Sequence, residues 1–461
     1  MIRSPLRASA SSPQRGAASL VVVMVLFFLI TLVAAYASRN LLFEQRTSTN
    51  QYRSTLAFEA AEAGVEWALA RLNDAAMNDN CTPLTSAASV GTQPSFRNRY
   101  LGINASTGVV TPQPDPASVT VPPEPRLAGC IFNGAGWTCD CPASGEPSPV
   151  VTYTGTGPFP AFWVRFLEVT PVAAGVTGVV RLQVNACTRA EANCLRFNRQ
   201  AESGDGLATI WSMVTLRSAL GSAPAAALTA RGPVSRVAGS PTVSNGDEAS
   251  GGITIHSGGA VDTTGVTLAS VPGTPGALTV MANDPTLVFG PLAIVPATPA
   301  NTGTNRMFHS VFGMWPNTYL GANAGEGQPG LAEVNCAAGC TAADVNDQLT
   351  LNPGHAIYLR GAGTLRVEAN IGTLAAPVLI VADGSVQFDG PYTIRGLVYS
   401  RAATWQLDGA GTIQGAAIAE SDFSFLANNP QIVYDAVALQ RLRFQYGSFV
   451  KVPGGWRDFQ P

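Results

Sequence analysis

AASLVVVMVLFFLITLVAAYAS, residues Ala17 to Ser38, follows Gln14-Arg15-Gly16 without any transition, and its reading decides the fold. The run carries no charge, and about 20 apolar residues suffice for a helix to cross about 30 Å of hydrocarbon. Arg3, Arg7 and Arg15 precede it with no acid among them, which predicts a cytoplasmic leader and a body on the far side of the membrane. The pattern continues past the bilayer. From Arg39 to Asn73 the chain stays rich in Ala, Glu and Leu, has no Pro, and contains Gly64 as its only Gly. Phe58, Val65, Leu69 and Leu72 recur at helical spacing with Glu62 and Glu66 among them, which predicts an amphipathic continuation. A single helix over 17–73 would be about 85 Å long, far more than a membrane needs.

A secretory signal peptide has an apolar core of about 7 to 15 residues, shorter than this one, and Ala35-Tyr36-Ala37 would be its only cleavage site. An uncleaved signal anchor fits the apolar run alone. The long amphipathic extension favours a third reading. A hydrophobic half followed by an amphipathic half on one rod resembles a type IV pilin, and the Gly16–Ala17 junction resembles a prepilin peptidase site. Within Phe43 to Leu72, the pair Glu44 and Arg46, then Asn50, then Ala57-Phe58-Glu59-Ala60-Ala61-Glu62-Ala63 resemble the N-terminal region of PilX-type minor pilins. More loosely, Ile432-Val433-Tyr434-Asp435 and Gly455-Trp456-Arg457-Asp458-Phe459 are similar to the C-terminal end of large members of that family.

That resemblance implies cleavage after Gly16, a mature N-terminus at Ala17, and residence in the inner membrane followed by entry into a pilus. The partners it implies are the prepilin peptidase, other minor pilins and the major pilin through the N-terminal helix, and a large tip-associated adhesin. One departure stands out. Pilins of this type carry a Glu at the fifth mature position, and here that position is Val21. A carboxylate in lipid is costly unless paired, so its loss removes both a burden and a docking contact. In related secretion pseudopilins this loss goes with the filament tip, which implies a place at or near a tip. The competing explanation is that PilX-like proteins tolerate an apolar residue there.

Composition agrees with an exported body. Of 461 residues only 12% are charged, the net charge is −3, and Lys451 is the sole lysine, which argues against nucleic-acid binding through a basic surface. The 47 Gly and 33 Pro predict many turns and few helices after the stalk. All eight cysteines follow the anchor, at 81, 130, 139, 141, 187, 194, 336 and 340, and an even count in such a body fits disulfides. Cys187–Cys194 and Cys336–Cys340 are the local candidates, leaving the four earlier cysteines to pair among themselves in an order the sequence leaves open. Cys139-Asp140-Cys141 is too tight for zinc, and His256, His309 and His355 are scattered, so neither a metal nor a cofactor is expected.

Residues 74–160 read as irregular loop. Three strands are predicted next, at Phe162 to Val169, Val179 to Val184 and Ala208 to Leu216. Packed on the upper stalk through Phe58, Val65 and Leu69, they would make a small antiparallel headgroup over 74–222, with Trp163 and Trp211 in its core.

The region 223–461 contains a repeat. VLIVADGSVQFDGPYTIRG from Val378 aligns without a gap to LVYSRAATWQLDGAGTIQG from Leu397, so that Asp389 meets Asp408, Ile394 meets Ile413 and Gly396 meets Gly415. A degraded third copy from Ala416 sets Leu426 against Leu407 and Ile432 against Ile413. Short β runs with Asp-Gly turns at a period near twenty predict a parallel β-solenoid starting near residue 225, with an insertion over 284–355. Met307 to Met314 would form a short helix capping the stack. The expected architecture is α+β followed by mostly β: a leader (1–16), a membrane span (17–38), a stalk (39–73), a headgroup and a solenoid.

Asp389 and Asp408 would stand one rung apart, about 4.8 Å, as carboxylates do in glycan-acting β-helices, yet the Asp-Gly turn explains both. No phosphate loop, nucleophile elbow or histidine cluster is present, so no catalytic role is expected. The alternative to a pilus subunit is a membrane-anchored solenoid that binds or acts on glycans.

Overall fold

The computed structural model describes residues 15–169, 178–189, 194, 206–289 and 303–458; the proposed leader lies mostly outside them. The stalk is one helix, Arg15–Leu72, of 58 residues and about 87 Å. From Ala18 to Gln51 its side chains are exposed, and Thr31 turns its hydroxyl back onto the carbonyls of Phe27 (3.0 Å) and Phe28 (2.8 Å). No donor of that threonine is then left facing hydrocarbon.

Beyond residue 56 one face of the helix is covered by a six-stranded antiparallel sheet ordered Gly447–Arg457, Leu207–Ser218, Val179–Cys187, Ala161–Leu167, Ala128–Phe132 and Trp137–Asp140. Alternation explains the central strand. Phe162, Val164 and Phe166 face the stalk, while Ala161 and Trp163 face a second cluster with Leu127, Ile131, Cys187 and Cys194. Two expectations need correction here. Residues 74–160 are not simply loop, since they supply the hairpin Ala128–Phe132/Trp137–Asp140, bridged by Cys130–Cys139. The headgroup does not stop at 222 either: Gly447–Arg457 returns to pair with Leu207–Ser218, from Gly447↔Ser218 to Arg457↔Trp211. That strand covers an edge that would otherwise expose unpaired backbone, and it makes residues 219–446 an insertion between two neighbouring strands.

The inserted part is the solenoid, whose main sheet is parallel throughout. Its strands run Leu331–Asn335, Ala356–Arg360, Val378–Ala382, Thr393–Ser400, Thr412–Ala419, Gln431–Tyr434, Thr242–Asn245 and Thr267–Ser270 in spatial order. The 19-residue repeat is the register itself, with Ile394 opposite Ile413 and Gly396 opposite Gly415. Those two glycines need to be glycines. Both have positive φ (142° and 146°), and a Cβ on either would stand 1.9 Å from a carbonyl oxygen of the preceding rung. In the third copy Ile432 does face Ile413, but Leu407 faces Phe425 and not Leu426. One residue is lost at the corner after Ala419 and regained near Asn428, which takes a left-handed φ of 63°.

The order of rungs is not the order of the chain. Thr242–Asn245 stacks on Gln431–Tyr434, and Leu228–Ala230 stacks on Ala417 to Ala419, so the first segments of the solenoid follow its last repeat. A row of alternating charge marks this junction. Arg360, Asp383, Arg401, Glu420 and Arg231 sit at or just past the strand ends on five successive rungs. Arg401 bonds Asp383 (2.9 Å) and lies 3.5 Å from Glu420. A slipped stack would set like charges side by side.

The permuted order explains the insertion. The chain must travel from one end of the stack to the other, about 34 Å across eight strands. The insertion is also shorter than 284–355, because Leu331–Asn335 and Cys340–Thr341 already pair with the next rung. Its helix Gly303–Phe312 does not cap the end of the stack. Phe308 and Phe312, with Leu439 and Leu442 of helix Ala436–Gln445, cover the outer flank of four strands at Tyr358, Leu379, Tyr399 and Ile418. The inner residues of the same strands, such as Ile357, Ile380, Val398 and Ala417, fill the solenoid. Burial on both faces accounts for the unbroken apolar run Val378-Leu379-Ile380-Val381-Ala382.

Candidate filament interface

The site is the stalk, which is bare from Ala18 to about Ser48, borders a pocket with Tyr153, Phe159 and Thr188 along Thr49 to Leu56, and is clamped from Ala57 upward. The clamp depends on small residues. Ala57, Ala60, Ala61, Gly64 and Ala68 form the buried face with Val65 and Leu72, while Phe58 and Leu69 pack at its margin. A Cβ on Gly64 would come 2.6 Å from Val184 Cγ1 and 2.9 Å from the Phe162 ring, so the helix lies as close to the sheet as a backbone can. Gly64→Leu is expected to lower stability by about 1–3 kcal/mol despite leucine's better helix propensity. Thermal unfolding of the full chain in detergent checks this, and an unchanged midpoint would show that the helix is free to back away. Gly64 was visible in the sequence as the lone glycine of the amphipathic half.

The top of the helix is tied to the last strand. Asn73 donates to the Phe449 carbonyl (2.9 Å) and accepts from the Phe449 N–H (2.7 Å), and Lys451 pairs with Glu66. Trp456 meets Phe58 edge-on with centroids 6.2 Å apart. Glu59, Glu62, Ala63, Val65 and Glu66 with Lys451 and Trp456 line an open groove of about 400 Å3.

The motif residues therefore separate into two groups. Phe58 and Glu62 stand beside the C-terminal strand, a partner that sequence spacing could not show. Glu44, Arg46 and Asn50 are exposed on the bare part of the rod, and neither Glu44 nor Arg46 has an ion-pair partner among the described residues. Gly16 and Ala17 lie in the first turn of the helix. Cys187 is bonded to Cys194 and Cys336 to Cys340, and the earlier cysteines pair as Cys81–Cys141 and Cys130–Cys139. Asp389 holds Arg366 (2.9 and 3.1 Å), whereas Asp408 accepts from the Gly409 N–H (2.7 Å) and from Asn428 (2.8 Å). Each carboxylate is thus engaged by a side chain of a neighbouring rung.

The PilX N-terminal family matches residues 15–66. The likeness is to the N-terminal stalk of that family. The match covers the apolar half, which is long and apolar enough to cross a membrane, and most of the clamped half. Nothing among curated proteins matches the chain. Among solved structures it is similar to the competence-associated pilin ComZ from Thermus thermophilus, at 11% identity over 88% of this chain and 97% of that one. The TM-score of 0.19 is too low for that likeness to carry an argument. The likeness to PilX proteins is confined to the stalk.

Proposed function

We propose that this minor pilin helps initiate assembly of a type IV pilus and sits at or near its tip, displaying the solenoid outward. The observation that carries the reading is the division of the helix into a bare half and a clamped half. The lower part is bare, and uncharged from Ala18 to Ser38, as suits a rod that packs among other stalks, while the part from Ala57 upward is built into its own headgroup. Val21 supports the end position, since an exposed valine stands where a subunit above would find a carboxylate. The reading includes processing after Gly16 by a prepilin peptidase, a periplasmic body before assembly, contacts with other minor pilins and the major pilin, and a tip-associated adhesin. It gives the body no catalytic role, a reading supported by the structural bonds that occupy Asp389 and Asp408.

Mass spectrometry of the mature N-terminus tests it. An N-methylated Ala17 is expected. An intact Met1, or cleavage near Ala37, would instead leave a membrane-anchored solenoid module. Deleting the chain is expected to abolish or sharply reduce piliation and twitching, and normal pili without it would end the assembly role.

A further inference from the structure

The two ends of the solenoid are finished differently. At the near end helix Ala342–Leu351 sets Ala342, Val345 and Leu349 into the core, and its Asn346 donates to the Asn370 carbonyl (2.9 Å). At the far end the main sheet stops at Thr267–Ser270. That strand pairs with Thr242–Asn245 on one side and, among the described residues, with no strand on the other. The Thr267 N–H bonds back to the Pro241 carbonyl, so by alternation the N–H and C=O groups of Leu268 and Ser270 point off the end of the stack. Val261, Leu268 and Val280, the last side chains packed on the solenoid core, line an open pocket of about 660 Å3 with Val271 and Thr279. Leu278 and Met281, next to the lining residues in the chain, are exposed.

Nothing in the sequence blunts this edge. The outer headgroup strand Gly447–Arg457 carries Lys451, Pro453 and a bulge, devices that stop a sheet from pairing further. Thr267-Leu268-Ala269-Ser270 has no charge and no proline, and its ladder runs without a register shift. Charge surrounds the edge instead. From Thr242 to Phe289 the chain holds Asp247, Glu248, Asp262 and Asp284 and neither Lys nor Arg. His256 is the one basic side chain in that stretch, and it is paired with Asp284 (2.6 Å).

We infer that the far end of the solenoid is a receptor for an extended segment of a second protein, uncharged where it pairs and basic at its flanks, which adds one more strand alongside Thr267–Ser270. The outward backbone groups of Leu268 and Ser270 hold it, and every second side chain of the segment enters the pocket over Leu268. The acids choose among occupants. A second copy meeting this end with its own would set acid against acid, and residues 290–302 of this chain carry no charge to answer them. A strand with basic flanks does answer them. The inference goes beyond the assembly role and stands whether the chain enters a filament or stays anchored in the membrane.

Fluorescence anisotropy with the full-length chain in detergent tests it. The probe is a short labelled peptide of alternating valine and threonine with a lysine at each end, and saturable binding is expected. A central proline in the peptide, which removes a ladder N–H, should weaken binding about tenfold, and this comparison needs no variant of the protein. Leu268→Asn keeps the backbone edge but takes away the apolar floor, and should weaken binding by a similar factor. Asp262→Lys, between the pocket residues Val261 and Thr263, should weaken it and reduce its salt dependence. No binding at about 1 mM peptide, or equal binding of the proline peptide, would overturn the inference. So would binding that requires residues 290–302 to be replaced by glycine and serine, which would put the chain's own segment at this end. A dimer of the full chain that the peptide dissociates would put a second copy there and overturn it equally.

Discussion

Replacing Arg97 by methionine is expected to destabilise the body by about 3–5 kcal/mol, a loss large enough to lower the unfolding midpoint by roughly 10 °C. Arg97 is almost fully buried, and among the described residues no carboxylate pairs with it. Its guanidinium donates instead to the carbonyls of Gln445 (3.0 Å), Gly447 (3.0 Å) and Gly354 (3.3 Å), with the Phe449 ring 5.2 Å away. Gln445 ends helix Ala436–Gln445, where unpaired carbonyls concentrate negative potential. One side chain from the headgroup helix Phe96–Tyr100 thereby holds the solenoid and the returning strand together. Burial pushes the guanidinium down to about 10, which still leaves it charged at neutral pH. Methionine would leave three carbonyls without this donor. Arg97→Lys, which keeps the charge but cannot fork, should fall between. Calorimetry of the full chain in detergent decides the matter, and a midpoint equal to wild type for Arg97→Met would show that water replaces the guanidinium without cost.

The same junction makes stability depend on pH. Burial, and secondarily the nearby Arg97, lowers His355 to about 3 from its ordinary 6.5. The unfolded chain therefore takes up a proton near pH 6.5 while the folded chain refuses it until about pH 3. Stability contributed by this group is flat above pH 6.5 and declines as pH falls from there toward 3. His355→Phe should flatten the profile in that window.

The second large effect is expected from Cys81→Ser with Cys141→Ser. This disulfide closes a loop of 60 residues, against 9, 7 and 4 for the others. On chain entropy the loss is about 4 kcal/mol here and about 2 kcal/mol for the shortest loop. The loop it closes holds only short elements between the stalk and the strand at Ala161, so few backbone ladders share the load. Pairwise serine variants followed by thermal unfolding should rank in order of loop length. A Cys336/Cys340 variant weaker than the Cys81/Cys141 variant would contradict the ranking.

What could be read from the residues follows the range of the interactions. The stalk was legible because helical periodicity is local and Ala57 to Leu72 repeat it without interruption. The 19-residue register was legible because Gly396 and Gly415 answer the same steric demand one rung apart. The permuted order was not legible, since an apolar rung edge such as Val243 fits any neighbour. The last strand was hidden because Pro453-Gly454-Gly455 interrupts its alternation, and the ladder resumes across a bulge between Lys451 and Trp456. The burial of Arg97 and Arg99 was not legible, because the groups that receive them lie in other segments: the carbonyls of Gln445 and Gly447 for Arg97, and Asp79 with the Cys141 carbonyl for Arg99.

The insertion of residues 219–446 between two neighbouring strands also decides how a mechanical load would travel. A pull on the solenoid enters the headgroup at one end of two strands together, where Gly447 faces Ser218. These two move as a pair, and the strain falls on the next ladder, Leu207–Ser218 against Val179–Cys187. Its nine registered pairs, from Val179↔Thr215 to Cys187↔Leu207, then resist in shear, all at once, where a load across the strands would open them one by one. From there the force passes through the packed alanines and Gly64 into the stalk, so the body is strung along the chain as a tension member.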